Sequence, residues 1–330
     1  MQDWVERRED NMRKIDLVID VTDAAGTGEQ LRTAATVVVP SDAQRADTTT
    51  VLFGYPGGGY SRHYFDLQLP GGYSQAEYHA QGGFVFVTCD HLGVGDSDTP
   101  ALELGFRAVA RANSACAREV LSRLAAGTIS DDLPPIRVGA SIGIGQSFGG
   151  YLLTLAQAAD PVFDGVAFLG WSGIQTLVPW ARTVALDEVA RQGVGRGWDN
   201  PRRPFFFRDD VPREIVESDL NRTADRVGAR EAWGAAHYPG GPRVSAAETP
   251  MSKGAVSVEA ATIDVPVLVA VGDVDVVEDL PAEASAYPRS SDITLCRFPQ
   301  MGHMHNFAGT RAQLWRRLAG WAATAVGQHR

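Results

Sequence analysis

Apolar residues fall into short β-branched runs separated by longer stretches in which apolar positions recur at helical spacing. The runs at 17–21, 35–39, 49–53, 84–88, 142–144 and 166–169 come first, and two more follow late in the chain at 265–271 and 293–298. Short apolar runs bounded by turn-forming residues predict strands buried on both faces, as parallel sheets require. Between them, residues 106–124, 148–159 and 308–326 carry the periodicity of helices packed on one side, and the first of these stops before Gly127. Strand and helix in alternation predict an α/β fold with a doubly wound, mostly parallel sheet.

The rhythm breaks once. Roughly 90 residues separate the run ending at Leu169 from the one beginning at Val265, too many for a loop in a compact domain. Residues 172–263 are therefore expected to form an inserted, mostly helical cap, with 1–171 and 264–330 making the core. The insertion contains a charged helical stretch at 213–235 and the run Pro204-Phe205-Phe206-Phe207. The sequence has no internal repeat and no low-complexity linker, which favours a capped core over two independent domains.

Composition narrows the function classes. The chain has 330 residues, 44% of them hydrophobic, enough for a large core. Its net charge of −10 and pI near 5.2 disfavour a nucleic-acid grip, which needs a concentrated basic surface. The opening segment is charged, and no run approaches the ~18 apolar residues of a membrane span, so a cytoplasmic protein without a membrane partner is expected. Cys89, Cys116 and Cys296 lie far apart without a C-x-x-C pair and predict reduced, buried thiols.

Gly-x-Ser-x-Gly occurs twice, as Gly139 to Gly143 around Ser141 and as Gly145 to Gly149 around Ser147. A nucleophile elbow needs a strand running straight into the serine and a helix starting directly after it. Ser147 has Ile142-Gly143-Ile144 before it and the helical 148–159 stretch behind it, whereas Ser141 is followed by more strand-like sequence. On these residues the chain resembles the α/β-hydrolase superfamily, in its serine-nucleophile branch of esterases, thioesterases and lipases. The likeness runs from about Ala35 to Val326, apart from the insertion.

That resemblance implies the order Ser, acid, His along the chain, because a serine hydroxyl needs an imidazole to take its proton and a carboxylate to hold the imidazole's tautomer. The family's acid position, the Asp of G-x-x-D, selects Asp275 in Gly272-Asp273-Val274-Asp275, with Asp273 the nearest competitor. Gly302-His303 resembles the family's turn before the final helix and makes His303 the base, with His305 the alternative. A metal site at His303-Met304-His305 finds no further ligand at suitable spacing, and neither metal nor cofactor is expected.

For the oxyanion hole, the resemblance implies backbone N–H groups of Phe148 and of the glycine-rich loop at 54–63, where Gly58 is the assignment and Gly57, Gly59 or Tyr60 remain open. The family often has a His before these glycines, and here Tyr55-Pro56 stands in its place. The segment Asp90-His91-Leu92-Gly93-Val94-Gly95-Asp96-Ser97 resembles the family's D-x-R-G-x-G-x-S turn, with Leu92 where Arg is usual, and is expected to be structural.

Tyr60, Trp180 and Phe206 are expected to touch substrate, with Phe205, Phe207 and Trp233 adding an apolar ceiling or packing the cap's own core. The activity implied is hydrolysis of a carboxylic ester, lactone or thioester of a small apolar molecule through an acyl-enzyme. Acyl transfer from the same serine, a cofactor-free lyase or perhydrolase, and a non-catalytic binding protein are the other readings.

Overall fold

The structure is a computed structural model, and it describes residues 12–40, 43, 46–101, 104–178, 198–219 and 250–325. In chain order the strands are β1 (Met12–Asp20), β2 (Arg32–Pro40), β3 (Thr49–Tyr55), β4 (Asp66–Leu67), β5 (Tyr73–Ser74), β6 (Val85–Cys89), β7 (Val138–Gln146), β8 (Gly165–Leu169), β9 (Val267–Gly272) and β10 (Ile293–Phe298). The helices are α1 (Thr22–Ala25), α2 (Gln75–Gln81), α3 (Phe106–Ala126), α4 (Phe148–Ala159), α5 (Arg203–Phe206), α6 (Ser257–Ala260) and α7 (Arg311–Ala325).

Eight strands form one sheet in the order β1-β2-β6-β3-β7-β8-β9-β10, and β4 pairs with β5 apart from it. From β6 to β10 every neighbouring pair is parallel. The first two runs depart from the parallel reading, since β1 pairs antiparallel with β2 and β2 antiparallel with β6. The edge position explains the difference: β1 alternates at its end, Leu17 and Ile19 inward and Val18 59% exposed, as a strand solvated on one face does. The central strands β6, β8 and β9 are buried along their whole length, with helices on both faces.

β7 extends well beyond the three residues that its apolar pattern marks. It runs from Val138 to Gln146 because Gly139, Gly143 and Gly145 dilute its hydrophobicity while admitting close neighbours. Ser141 lies inside this strand, buried, its hydroxyl donating to the Val162 carbonyl at 2.9 Å. Helix α4 covers the 148–159 stretch read from the sequence, and α3 and α7 follow the other two helical stretches. Cys89 and Cys116 are buried as expected, whereas Cys296, on the edge strand β10, is only partly buried.

Of the expected 172–263 insertion, residues 172–178, 198–219 and 250–263 are described, including α5 and α6, whereas Trp180, Trp233 and residues 220–235 of the expected 213–235 helix lie outside the described residues. Helix α5 is tied to the turn around His303 by main-chain bonds: His303 N–H donates to Phe205 O at 2.7 Å and Met304 N–H to Phe206 O at 3.0 Å. Among the described residues no helix is long and apolar enough to cross a membrane.

Candidate active site

The carboxyl ends of β7, β9 and β10 bring three distant parts of the chain together. Ser147 stands between β7 and α4 at φ 51°, ψ −119°, one of two described non-glycine residues with positive φ. Such a conformation costs on the order of 1–3 kcal/mol and persists only where the surroundings enforce it. Here Ser147 N–H donates to Leu169 O at 2.8 Å, and Gly150 N–H donates to Ser147 O at 2.8 Å.

The flanking glycines are needed for room. A Cβ on Gly145 would lie 2.6 Å from Gly149 O, and one on Gly149 would lie 2.1 Å from Tyr55 O. Strand, turn and helix can cross this tightly only without side chains, and the crossing aims the Ser147 side chain out of the sheet top.

Ser147 Oγ lies 2.8 Å from His303 Nε2, and His303 Nδ1 lies 2.7 Å from Asp275 Oδ1. The Asp275 side chain has no solvent exposure and accepts four hydrogen bonds, the others coming from Gly272 N–H, Val276 N–H and His305 Nε2. Burial by itself would raise its pKa, but the interactions with His303 and His305 outweigh it and hold the carboxyl well below the usual carboxylate range. An ionised Asp275 only accepts, so His303 Nδ1 carries its proton and Nε2 is left to accept from the Ser147 hydroxyl.

The competing residues are placed elsewhere. Asp273 accepts from Gln300 N–H at 3.2 Å and Met301 N–H at 3.1 Å, and so shapes the turn in front of His303. His305 bonds the second oxygen of Asp275 at 2.7 Å, while the ring on Ser147 Oγ is that of His303. Gln146, between Gly145 and Ser147, donates from Nε2 to His303 O at 3.1 Å and ties the elbow to the His303 turn.

The glycine-rich loop lies against the elbow. A Cβ on Gly57 would stand 3.1 Å from Ser147 Cβ, and one on Gly58 would stand 3.7 Å from Phe148 Cβ. Gly57 C=O accepts from Tyr60 N–H at 3.2 Å across a turn that needs Gly59 at φ +81°. In a trans peptide the N–H points opposite to the C=O, so Gly58 N–H faces away from that turn. Gly57 is buried and Gly58 is partly open to solvent.

The Alpha/beta hydrolase family profile matches residues 51–314. The chain belongs to the alpha/beta hydrolase family. No curated protein matches the sequence. Among solved structures, the fold is similar to a bromoperoxidase from Bacillus anthracis at 14% identity and TM-score 0.60, covering 93% of this chain and 99% of that one. It is also similar to a haloalkane dehalogenase loop variant from Bradyrhizobium elkanii, at 16% identity and TM-score 0.59 over 96% of this chain and 98% of that one. A thermophilic esterase from Thermogutta terrifontis matches at 17% identity and TM-score 0.54, over 94% and 98% of the two chains.

Against the family pattern, Leu92 is buried in the turn after β6, and a guanidinium reaches the motif's aspartate from another loop. Asp90, fully buried, accepts from Arg62 N–H at 2.6 Å and pairs with the Arg62 guanidinium, which also meets Asp96 at 2.7 Å. The cationic partner of Asp90 thus comes from a different loop, a pairing that sequence spacing does not reveal.

Tyr60 donates its hydroxyl to Asp219 Oδ2 at 2.8 Å, and its ring packs on Tyr64. Phe206 is 1% exposed with its ring 6.3 Å from that of His303, and Phe205 stacks on His303 at 5.1 Å. Phe148, next in sequence to Ser147, and Phe106 are both partly exposed, with rings 5.3 Å apart.

Proposed function

We propose that the protein is a serine hydrolase that cleaves a carboxylic ester, lactone or thioester of a small apolar substrate through an acyl-enzyme on Ser147. The observation carrying this reading is the hydrogen-bonded line Ser147 Oγ, His303 and Asp275, held at 2.8 and 2.7 Å on a strained turn. Strain of this kind has no packing purpose, since the same strand and helix could be joined by a longer relaxed loop.

In the first half-reaction Ser147 Oγ attacks the acyl carbon while His303 Nε2 takes the hydroxyl proton, and Asp275 stabilises the resulting imidazolium. Negative charge gathers on the carbonyl oxygen, where Phe148 N–H and Gly58 N–H donate. Each such donor is worth roughly 2.7–4 kcal/mol in the transition state. Phe148 N–H belongs to the first turn of α4, so the helix end adds its partial positive charge. The imidazolium then protonates the departing alcohol or thiol. Water, deprotonated by the same nitrogen, attacks the acyl carbon and releases acid and free Ser147.

The partly exposed rings of Phe106 and Phe148, the latter directly following the nucleophile, support an apolar substrate. The wild type and Ser147→Ala are to be treated with a fluorophosphonate probe and mapped by mass spectrometry, with p-nitrophenyl esters of increasing chain length assayed alongside. Labelling confined to Ser147, with ester turnover lost in the alanine variant, is the expected result. Labelling at Ser141, or none, overturns the reading.

A further inference from the structure

The two residues that follow β6 grip the glycine-rich loop at both ends. At the far end Asp90 holds Arg62 by its backbone N–H and its guanidinium. At the near end His91 Nε2 lies 3.0 Å from Pro56 O. Between the two grips run the glycines that flank Ser147 and Phe148.

His91 is 1% exposed, with its ring stacked on Tyr55 at 6.0 Å and edge-on to Phe148 at 6.4 Å. Burial is the largest influence on it and lowers its pKa against smaller opposing contributions from Pro56, Asn113 and Asp90, so the ring is neutral and carries one N–H. A carbonyl oxygen only accepts, which puts that proton on Nε2 and leaves Nδ1 as an acceptor. Asn113 on α3 presents Nδ2 to it at 3.0 Å. The same residue's main-chain oxygen accepts from the Tyr55 hydroxyl at 3.3 Å, so α3 steadies the loop through two routes.

The consequence for the loop follows from peptide planarity. With Pro56 C=O fixed toward His91, Gly57 N–H points the other way, and the orientation of the next peptide is then set by Gly57 C=O bonding Tyr60 N–H.

We propose that His91 is a positioning residue for the oxyanion hole, its Nε2–H fixing the Pro56–Gly57 peptide from which the Gly57–Gly58 peptide, closed by the Tyr60 turn, presents Gly58 N–H to the reacting carbonyl oxygen. The inference rests on the acyl-serine reading for its catalytic meaning, while the positioning itself is a property of the loop. Oxyanion donors act because they are aimed in advance, so a loosened loop weakens the transition state more than the ground state.

The test compares His91→Leu, which removes the donor, with His91→Gln, whose Nε2 can present an N–H at similar reach. In His91→Leu, kcat falls on the order of 10- to 100-fold with KM within about 3-fold, short of the 10²–10³ seen when an oxyanion donor is lost outright. His91→Gln recovers most of that loss, and affinity for a trifluoromethyl ketone, which forms a tetrahedral adduct on serine, follows kcat across the three proteins. The amide signals of Gly57 and Gly58 in ¹⁵N–¹H spectra shift in His91→Leu and stay near wild-type positions in His91→Gln.

Those spectra read the loop without any turnover, so they decide the positioning even if esters prove not to be substrates. Unmoved glycine amides in His91→Leu overturn the proposal, as does equal loss of kcat in both variants with parallel loss of thermal stability. Absence of Ser147 labelling in the wild type would instead overturn the acyl-serine reading.

Discussion

Asp273 and Asp275 are two residues apart and both carboxylates face the turn containing His303, yet their work differs. Asp273 takes main-chain N–H groups of Gln300 and Met301, whereas Asp275 takes two imidazoles and has a fully buried side chain. Asp275→Asn replaces an obligate acceptor with a group that can also donate, so His303 can flip to the wrong tautomer. Loss of roughly 10⁴-fold in kcat is expected, against less than about 10-fold for Asp273→Asn, in steady-state assays on the same ester. Comparable losses in both would move the acid's role away from Asp275. His305 poses a related question, because its Nε2 occupies the second Asp275 oxygen and its Nδ1 is buried without a partner among the described residues. His305→Leu frees that oxygen and is expected to cost roughly 10-fold in kcat, with His305→Gln closer to wild type. From the sequence, Asp275 and His303 were readable by motif position alone. The sharing of one carboxylate by both histidines was not, since H-x-H spacing says nothing of which ring meets which oxygen.

At the scale of elements, the elbow shows how much a glycine pattern can hide as well as reveal. The glycines around Ser147 marked the turn, but those inside β7 shortened the strand to three apolar residues when it has nine. Both effects have one cause, the need for backbone to approach backbone. Gly149→Ala would put a Cβ 2.1 Å from Tyr55 O, a contact with main chain that no rotamer can relieve. Destabilisation of at least about 3 kcal/mol is expected in urea unfolding. A fall under about 1 kcal/mol would mean that the β3 end moves freely, contrary to its many tethers. The Arg62–Asp90 pair is a second element-scale feature that sequence alone did not disclose, because its members come from different loops. Removing one partner strands a buried charge, and Arg62→Met is expected to cost roughly 3–5 kcal/mol by the same measurement. The direction of β1 and β2 was also hidden: an apolar run marks a buried strand, while pairing direction depends on how the chain returns to the sheet edge.

For the whole molecule, acid sensitivity follows from a residue far from Ser147. His79, on α2, is fully buried, stacked on Phe86 at 5.7 Å, and neither ring nitrogen has a hydrogen-bond partner among the described residues. Burial pushes its pKa down to about 3 from an ordinary 6.5. The sign is fixed by proton counting: between those two values the unfolded chain binds a proton that the folded chain refuses, so stability rises with pH across this window. Lowering the pH from neutrality toward 3 therefore removes stability progressively, on the order of 4–5 kcal/mol at the acid end. That is a large share of the ~5–15 kcal/mol that holds a typical domain folded. Burial also lowers His91, which adds a loss of the same sign. His79→Leu keeps the packing against Phe84 and Phe86 while deleting the titrating group. Its urea midpoint should match or exceed wild type at pH 7 and fall less steeply between pH 6.5 and 4. If the two proteins lose stability in parallel over that range, the acid response belongs to other groups. In that case His79 must find a proton partner in the folded state, and its buried nitrogens would no longer be a burden on the fold.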